Sequence, residues 1–370
     1  MGEYVVISGY YGFDNLGDEA ILYSIIKLLK SKKSDLKIIV LSQNPEITAS
    51  RYGVKSIYRY DLVEIIKVLK KSSLFISGGG SLLQDVTGIR SVPYYLGLVF
   101  LANIFGNKTV YYAQGIGPLK RKISKNVVKW VSNSVDLITV RDRDSAELLQ
   151  KIGVNNKLIK ETVDPVYALD LFNEKENENN SENISEFING EKINIEKEKV
   201  IALSVRPWGD NSYIKSMAKA ADYIKEKTDA KVIILPMYIE DDLQCSKKLK
   251  KLMNNEALLI KKQLKPSDMI NVYRGIDFFI GVRLHSLIFA AVTNTPFIGI
   301  SYDPKVDSLL FDLDLETGLS TENIDYNEFK KIIDDFWKNK AIIAEQLRLK
   351  INKYSQKAEE NVERVLELIV

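Results

Sequence analysis

Short β-branched runs alternate with stretches of helical periodicity along most of the 370 residues, and this alternation constrains the fold more than any single motif. In the first half the strand candidates are Tyr4–Ser8, Lys37–Leu41, Leu74–Ser77, Thr109–Ala113 and Leu137–Val140. Helical spacing fills the gaps over 19–29, 92–105, around 126–131, and over 144–152. A second series, Val200–Val205, Val232–Leu235, Phe278–Gly281 and Phe297–Ser301, repeats the plan. Strands separated by helices imply parallel pairing with helices on both faces of each sheet. Residues 173–199, rich in Asn, Glu and Lys, interrupt the pattern; too few large apolar side chains are present there to offset ordering entropy. The expected organisation is therefore two doubly wound, Rossmann-like α/β domains, 1–172 and 200–325, facing a cleft and joined by a linker or mobile loop at 173–199. Helices over 326–370 close the chain. Their stripe of Ile343, Leu347, Ile351, Tyr354, Ala358, Val362, Val365 and Ile369 needs a partner surface, which a crossing back to brace the first domain would supply.

Composition narrows the function classes. With 45% hydrophobic and 27% charged residues and a formal charge of +3, the chain is an ordinary globular protein with nothing that calls for nucleic acid. The single cysteine, Cys245, excludes an internal disulfide and fits a reducing, cytoplasmic setting. No Cys/His cluster suggests a metal, and no fingerprint suggests a cofactor. The start, MGEYVVISGYYG, reads as a first strand and not as a signal peptide. The most apolar segment, VPYYLGLVFLANIFG at 92–106, is shorter than the ~20 residues of a spanning helix and reads as a buried core helix. That segment, KLLKSKK at 27–33 and KKLKK at 247–251 are the candidates for peripheral contact with the inner membrane face; each also reads as a buried or solvated helix face.

In doubly wound sheets, ligands lie beyond the carboxyl ends of the strands. Arg141 follows LITV, Arg206 follows IALSV, Arg283 follows FFIGV, and Lys305 lies just past FIGIS. Any one of these could be a solvated charge. Together they suit a compact, highly anionic ligand. Two glycine-rich turns, GYYGFDNLGDEAI and SGGGSLLQD, run from predicted strands toward helices. Gly12, Gly79 and Gly80 would let backbone approach a ligand, and Asp14, Asp18 and Asp85 could accept hydrogen bonds from sugar hydroxyls. Plain structural turns explain the glycines equally, and Asp18 and Glu19 equally suit the first turn of a helix. Trp208 could stack on a sugar or fill the domain edge. His285, in GVRLHS, is the only histidine. Proton transfer near neutral pH therefore falls to it or to a perturbed carboxylate.

These blocks resemble the polysaccharide pyruvyl transferases, in particular the bacterial type that modifies secondary cell-wall polymers. The resemblance is carried by GYYGFDNLGDEAIL, SGGGSLLQDVTGIRS, YYAQGIGPL, TVRDRDS, SVRPW, GVRLHSLIFAA and GISYDPKV, in family order. It implies a GT-B-like fold. It implies transfer of an enolpyruvyl group from phosphoenolpyruvate to a lipid-linked β-N-acetylmannosamine acceptor as a 4,6-ketal, on a polymer that anchors surface-layer proteins. It places functional roles on Arg141, Arg283, His285 and Lys305; Arg206 is added by its strand-end position. The expected assignment is Arg283 and His285 as catalytic, and Arg141, Arg206, Arg283 and Lys305 on the donor. Gly12, Asp14, Asp18, Gly79, Gly80, Asp85 and Trp208 fall on the acceptor, with no metal and no cofactor.

Two alternatives compete. A nucleotide-sugar glycosyltransferase of the same fold would need an acidic residue for the ribose, and SLIFAAVTNTP after GVRLHS offers none. A non-catalytic module for anionic glycans would explain the arginines but leave His285 without a role.

Overall fold

The computed structural model describes residues 4–86, 88, 90–155, 159–169, 171–172 and 198–369. The linker expected at 173–199 lies outside these residues except for its last two. The chain divides into two compact units, Met1–Leu169 with Tyr354–Val370, and Asp170–Lys353.

In the first unit the strands are β1 (Tyr4–Ser8), β2 (Ile38–Ser42), β3 (Lys55–Tyr58), β4 (Ser72–Ser77), β5 (Gly80–Leu83), β6 (Lys108–Ile116), β7 (Leu137–Val140) and β8 (Ile159–Glu161). They pair in the order β3-β2-β1-β4-β6-β7-β8, with β5 added on β6. Every pairing is parallel. The runs YVVIS, IIVLS and LFIS are apolar on both faces because helices cover both, as a parallel sheet requires. The 92–106 segment becomes the helix Ser91–Ile104, whose Val92, Leu96, Val99 and Ala102 join the core. Among the described residues no helix is long and apolar enough to cross a membrane.

The second unit holds β9 (Val200–Ser204), β10 (Lys231–Ile234), β11 (Leu258–Leu259), β12 (Phe278–Gly281) and β13 (Phe297–Gly299). Their order is β11-β10-β9-β12-β13, again parallel throughout. The helix Tyr326–Lys338 belongs to this unit, whereas the sequence grouped it with the closing helices. Its Phe329 and Ile333 are fully buried in the second core, which fixes that allegiance.

The final helix, Lys340–Leu366, starts in the second unit and enters the first at Tyr354. There Val362 and Val365 are fully buried, the Tyr354 ring meets Tyr167 edge-on at 5.0 Å, and Ser355 donates to the Tyr167 carbonyl at 2.6 Å.

In both sheets the strand order reverses at one place. In the first it is between β1 and β4; in the second, between β9 and β12. The loops leaving those strands diverge there and form the crevice in which doubly wound units hold ligands.

Candidate active site

The two crevices are chemically different. In the second unit, Arg206 leaves β9 and Arg283 leaves β12, so both stand at the reversal point. The paired registers of Ser204 with Gly281 and of Gly281 with Gly299 bring the ends of β9, β12 and β13 level. Lys305 follows at the start of the helix Pro304–Asp312, capped by Asp303, which accepts from the Lys305 amide at 3.0 Å. The helix Leu284–Val292 also begins on this edge, with Arg283 at its cap and His285 half-buried in its first turn. Two helix N-termini thus add positive potential to the same place.

The two arginines are not equivalent. Arg283 directs Nε at Asp242 Oδ2 (2.7 Å) and Nη2 at Oδ1, a bidentate pair with a fully buried carboxylate. Asp242 also accepts from the amides of Met237 and Tyr238 at 3.1 and 3.0 Å. Arg283 thereby ties the loop after β10 to the helix after β12. Burial pulls the Arg283 pKa down, but the hydrogen bonds and charge of Asp242 outweigh it, so the guanidinium stays ionised.

Arg206 is held differently. Its Nη1 donates to the Tyr302 hydroxyl at 2.7 Å, and its guanidinium lies 4.4 Å from the Tyr302 ring centre and 5.3 Å from that of Trp208. Its backbone is fixed by Tyr213, whose hydroxyl accepts from the Arg206 amide and donates to its carbonyl. Among the described residues no carboxylate pairs with it, and its buried Nε has no acceptor. A half-buried cation held by rings and a phenol keeps a charge with which an anion could pair.

In the first unit, Arg141 is paired instead. Its Nη1 donates to Asp164 at 2.7 Å, Nη2 lies 3.3 Å from Ser81 Oγ, and Asp142 is 3.7 Å from Nε. Burial again lowers its pKa, while Asp164 and Asp142 more than restore it. At the first reversal point Tyr11 packs against the chain's own glycines. Tyr11 is fully buried, and a Cβ on Gly78 or Gly9 would lie 2.1 Å from its hydroxyl or 2.3 Å from Cζ. A Cβ on Gly79 would meet Ile21 at 2.9 Å, and one on Gly80, at φ +90°, would lie 3.0 Å from Asp18 Oδ1. The GGG turn therefore makes room for Tyr11, Ile21 and Asp18; in this respect it is a packing feature, and the acceptor contact expected of Gly79 and Gly80 has no separate support.

Several other expected acceptor residues have internal partners. Gly12 sits at φ +77° with its amide donating to Glu19 Oε1 at 2.8 Å, and a Cβ there would strike Ser42 Oγ at 2.1 Å. Asp14 pairs with Arg51 at 2.9 Å. Asp85 accepts from the amides of Lys120 and Arg121 at 2.8 and 2.9 Å, anchoring the approach to the helix Lys122–Ser132. Asp18 lies beside Gly80 and Arg141. Trp208 is on the second unit with Arg206, 38% exposed and edge-on to Tyr302 at 4.8 Å.

Sequence reading missed Tyr302, Asp242, Asp164 and Tyr11. Tyr302 stands in GISYDPKV, three residues before Lys305, and could have been found there. Asp242, in the first turn of IEDDLQCSKKLKKL, looks like any helix-dipole acid.

A family model for polysaccharide pyruvyl transferases matches residues 15–304. Several solved structures are similar over nearly the whole chain. The UDP-GlcNAc 2-epimerase of Neisseria meningitidis bound to UDP-GlcNAc is 10% identical, covers 98% of this chain and 99% of that one, and superposes with a TM-score of 0.66. The S. aureus MnaA–UDP co-structure is 13% identical over 98% and 95%, with a TM-score of 0.64. Anabaena Alr3699/HepE in complex with UDP-glucose is 11% identical over 99% of each chain, with a TM-score of 0.61. At these identities the likeness establishes the GT-B-like α/β fold and nothing about ligands.

Proposed function

From the premise that the chain belongs to the polysaccharide pyruvyl transferase family, and is therefore a transferase that moves pyruvate onto a polysaccharide, we propose that its donor is phosphoenolpyruvate. The acceptor on this reading is a lipid-linked β-N-acetylmannosamine of a cell-wall polymer, and the product a 4,6-ketal. The observation that supports it best is Arg206, which pairs with no carboxylate among the described residues and leaves β9 at the reversal point of the second sheet, next to β12, whose end leads into the helix that carries His285. Phosphoenolpyruvate brings a carboxylate and a phosphate, and needs such a place.

Arg206 and Lys305 hold the donor's anionic groups on this reading, while Arg283 shapes the site through Asp242. A proton delivered to C3 of the enolpyruvyl group makes C2 oxocarbenium-like. One sugar hydroxyl attacks C2 and gives up its proton, and the C2–O bond to phosphate breaks. The second hydroxyl then closes the ring and releases its own proton, so donor and diol become ketal and inorganic phosphate. His285 carries the proton at C3 or takes one from a hydroxyl. Cations that hold the departing phosphate stabilise the charge developing on it. The protein works in the cytoplasm, meeting the lipid-linked acceptor at the inner membrane face.

The test is direct. Purified protein should release phosphate from phosphoenolpyruvate only when a β-N-acetylmannosaminyl glycoside with free O4 and O6 is present. The product should gain the mass of pyruvic acid less one water and show no vinyl proton. Blocking O6 should prevent ring closure. Consumption of a nucleotide sugar with phosphoenolpyruvate untouched would replace this reading with a glycosyltransferase.

A further inference from the structure

At the carboxyl end of β3, on the edge of the first sheet that also carries Asp18 and Gly80, lies an aromatic cluster with no part in the reaction above. Its centre is Arg59, only 3% exposed. The guanidinium lies 4.6 Å from the Tyr94 ring centre, 5.2 Å from Phe13, 5.3 Å from Tyr60 and 5.6 Å from Tyr95. It donates to the Gly9 carbonyl and the Tyr95 hydroxyl, both at 3.3 Å. Among the described residues no carboxylate pairs with it, and its buried Nε has no acceptor.

A buried cation without a counter-ion is expensive, and ring faces are what compensate it here. A site that needed packing alone would be better served by an apolar side chain. What Arg59 adds is rigidity: it fixes the rings around it by their faces. The rings also hold one another edge-on, Tyr58 to Tyr60 at 5.7 Å and Tyr60 to Tyr94 at 5.2 Å. Tyr94 in addition donates to the Arg59 carbonyl at 2.7 Å. Yet Tyr58 and Tyr60 are 43% and 54% exposed. Exposed rings that are already immobile bind a ligand with little loss of entropy.

We propose that Tyr58 and Tyr60 form a saccharide-binding shelf for sugars of the acceptor beyond the one that receives the pyruvyl group. The proposal rests on the reading that the acceptor is a glycan. A pyranose has an apolar C–H face and a rim of hydroxyls, which a tyrosine matches with its ring and its phenol. Arg59 is enclosed, so the shelf offers no cation to an anionic ligand and fits neutral sugars. Leu62 and Val63 extend the exposed surface, but Asp61 and Glu64 beside them disfavour an anionic membrane.

The test compares two acceptors, a methyl β-N-acetylmannosaminide and a disaccharide glycoside capped by the same sugar. Binding is followed by calorimetry without donor, and turnover by phosphate release. Tyr58→Ala/Tyr60→Ala should weaken the disaccharide about tenfold in Kd and KM and leave the monosaccharide glycoside unchanged. Tyr60→Phe, which keeps the ring, should retain most of the disaccharide affinity, and its melting temperature controls for folding. Equal loss for both acceptors, or none for the disaccharide, overturns the shelf. So does loss of sedimentation with phosphatidylglycerol vesicles while disaccharide binding is intact. Because calorimetry needs no donor, a wild type that binds the disaccharide but ignores phosphoenolpyruvate would refute the donor reading and leave the shelf standing.

Discussion

Replacing Arg206 with methionine separates a binding cation from a structural one. The substitution removes a hydrogen bond to Tyr302 worth about 1 kcal/mol. It also removes two ring contacts of about 0.5–1 kcal/mol each. Against these losses, no carboxylate is left behind and a half-buried charge no longer needs desolvation, a term of similar size or larger. The balance predicts a folded protein within about 1 kcal/mol of wild type, with methionine filling the space against Trp208 and Tyr302. Donor binding should suffer far more. A charge-assisted bond to an anion contributes about 1.5–3 kcal/mol, so the KM for phosphoenolpyruvate should rise roughly 10- to 100-fold. Arg283→Met is the contrast, because it leaves Asp242 buried without its cation, at a cost of about 3–5 kcal/mol. For a unit of this size that lowers Tm on the order of 10 °C. Calorimetric melting with and without phosphoenolpyruvate, alongside initial rates, reads both effects. An Arg206→Met protein that melts early, or that keeps its donor KM, refutes the assignment.

Tyr302→Phe keeps the ring under Arg206 and loses the acceptor at 2.7 Å, so donor KM should rise several-fold with kcat changed less; an unchanged KM would make the phenol incidental. His285→Gln should lower kcat about 10²- to 10⁴-fold while the donor-induced rise in melting temperature persists; near-normal turnover would return His285 to a packing role. Burial would push the Asp85 carboxyl up, but the amides of Lys120 and Arg121 outweigh it and hold it below its usual range. Its contribution to stability is therefore complete above the unfolded value of about 4 and is lost as pH falls through the folded one, so Asp85→Asn should flatten the acid limb of a stability–pH curve measured in urea.

Much of the fold was legible because parallel sheets declare themselves. Strands buried on both faces read as unbroken apolar runs, and Tyr4–Ser8, Leu137–Val140 and Phe278–Gly281 were located to the residue. Four strands were missed: β8 is a three-residue edge, β5 follows two glycines and pairs with β6 off the main order, and β3 and β11 lack that signature. KSIY of β3 is the edge of its sheet, with none of its residues buried, and β11 is two residues long. Both are strands because a neighbour offers a free edge, not because their own pattern demands it. The grouping of Tyr326–Lys338 failed for a related reason: periodicity shows that a helix has an apolar face, not which core receives it.

The placement of the candidate cations was legible; their partners were not. Four cations just past strand ends follow from topology alone, and Arg206 and Arg283 do stand at the reversal point of one sheet. What separates them is the counter-ion, and counter-ions come from elsewhere in the chain: Asp242 from the helix after β10, Asp164 from the turn after β8. Local sequence around an arginine cannot report a carboxylate 41 residues away. The glycine turns stay open to both readings for the same reason, since a missing Cβ that suits an approaching ligand suits Tyr11, Ile21 or Asp18 equally well. Recognition of an anion needs charge that the protein has not already neutralised. By that criterion the donor reading rests on Arg206, the one arginine of the three for which the chain supplies rings and a phenol and no acid among the described residues.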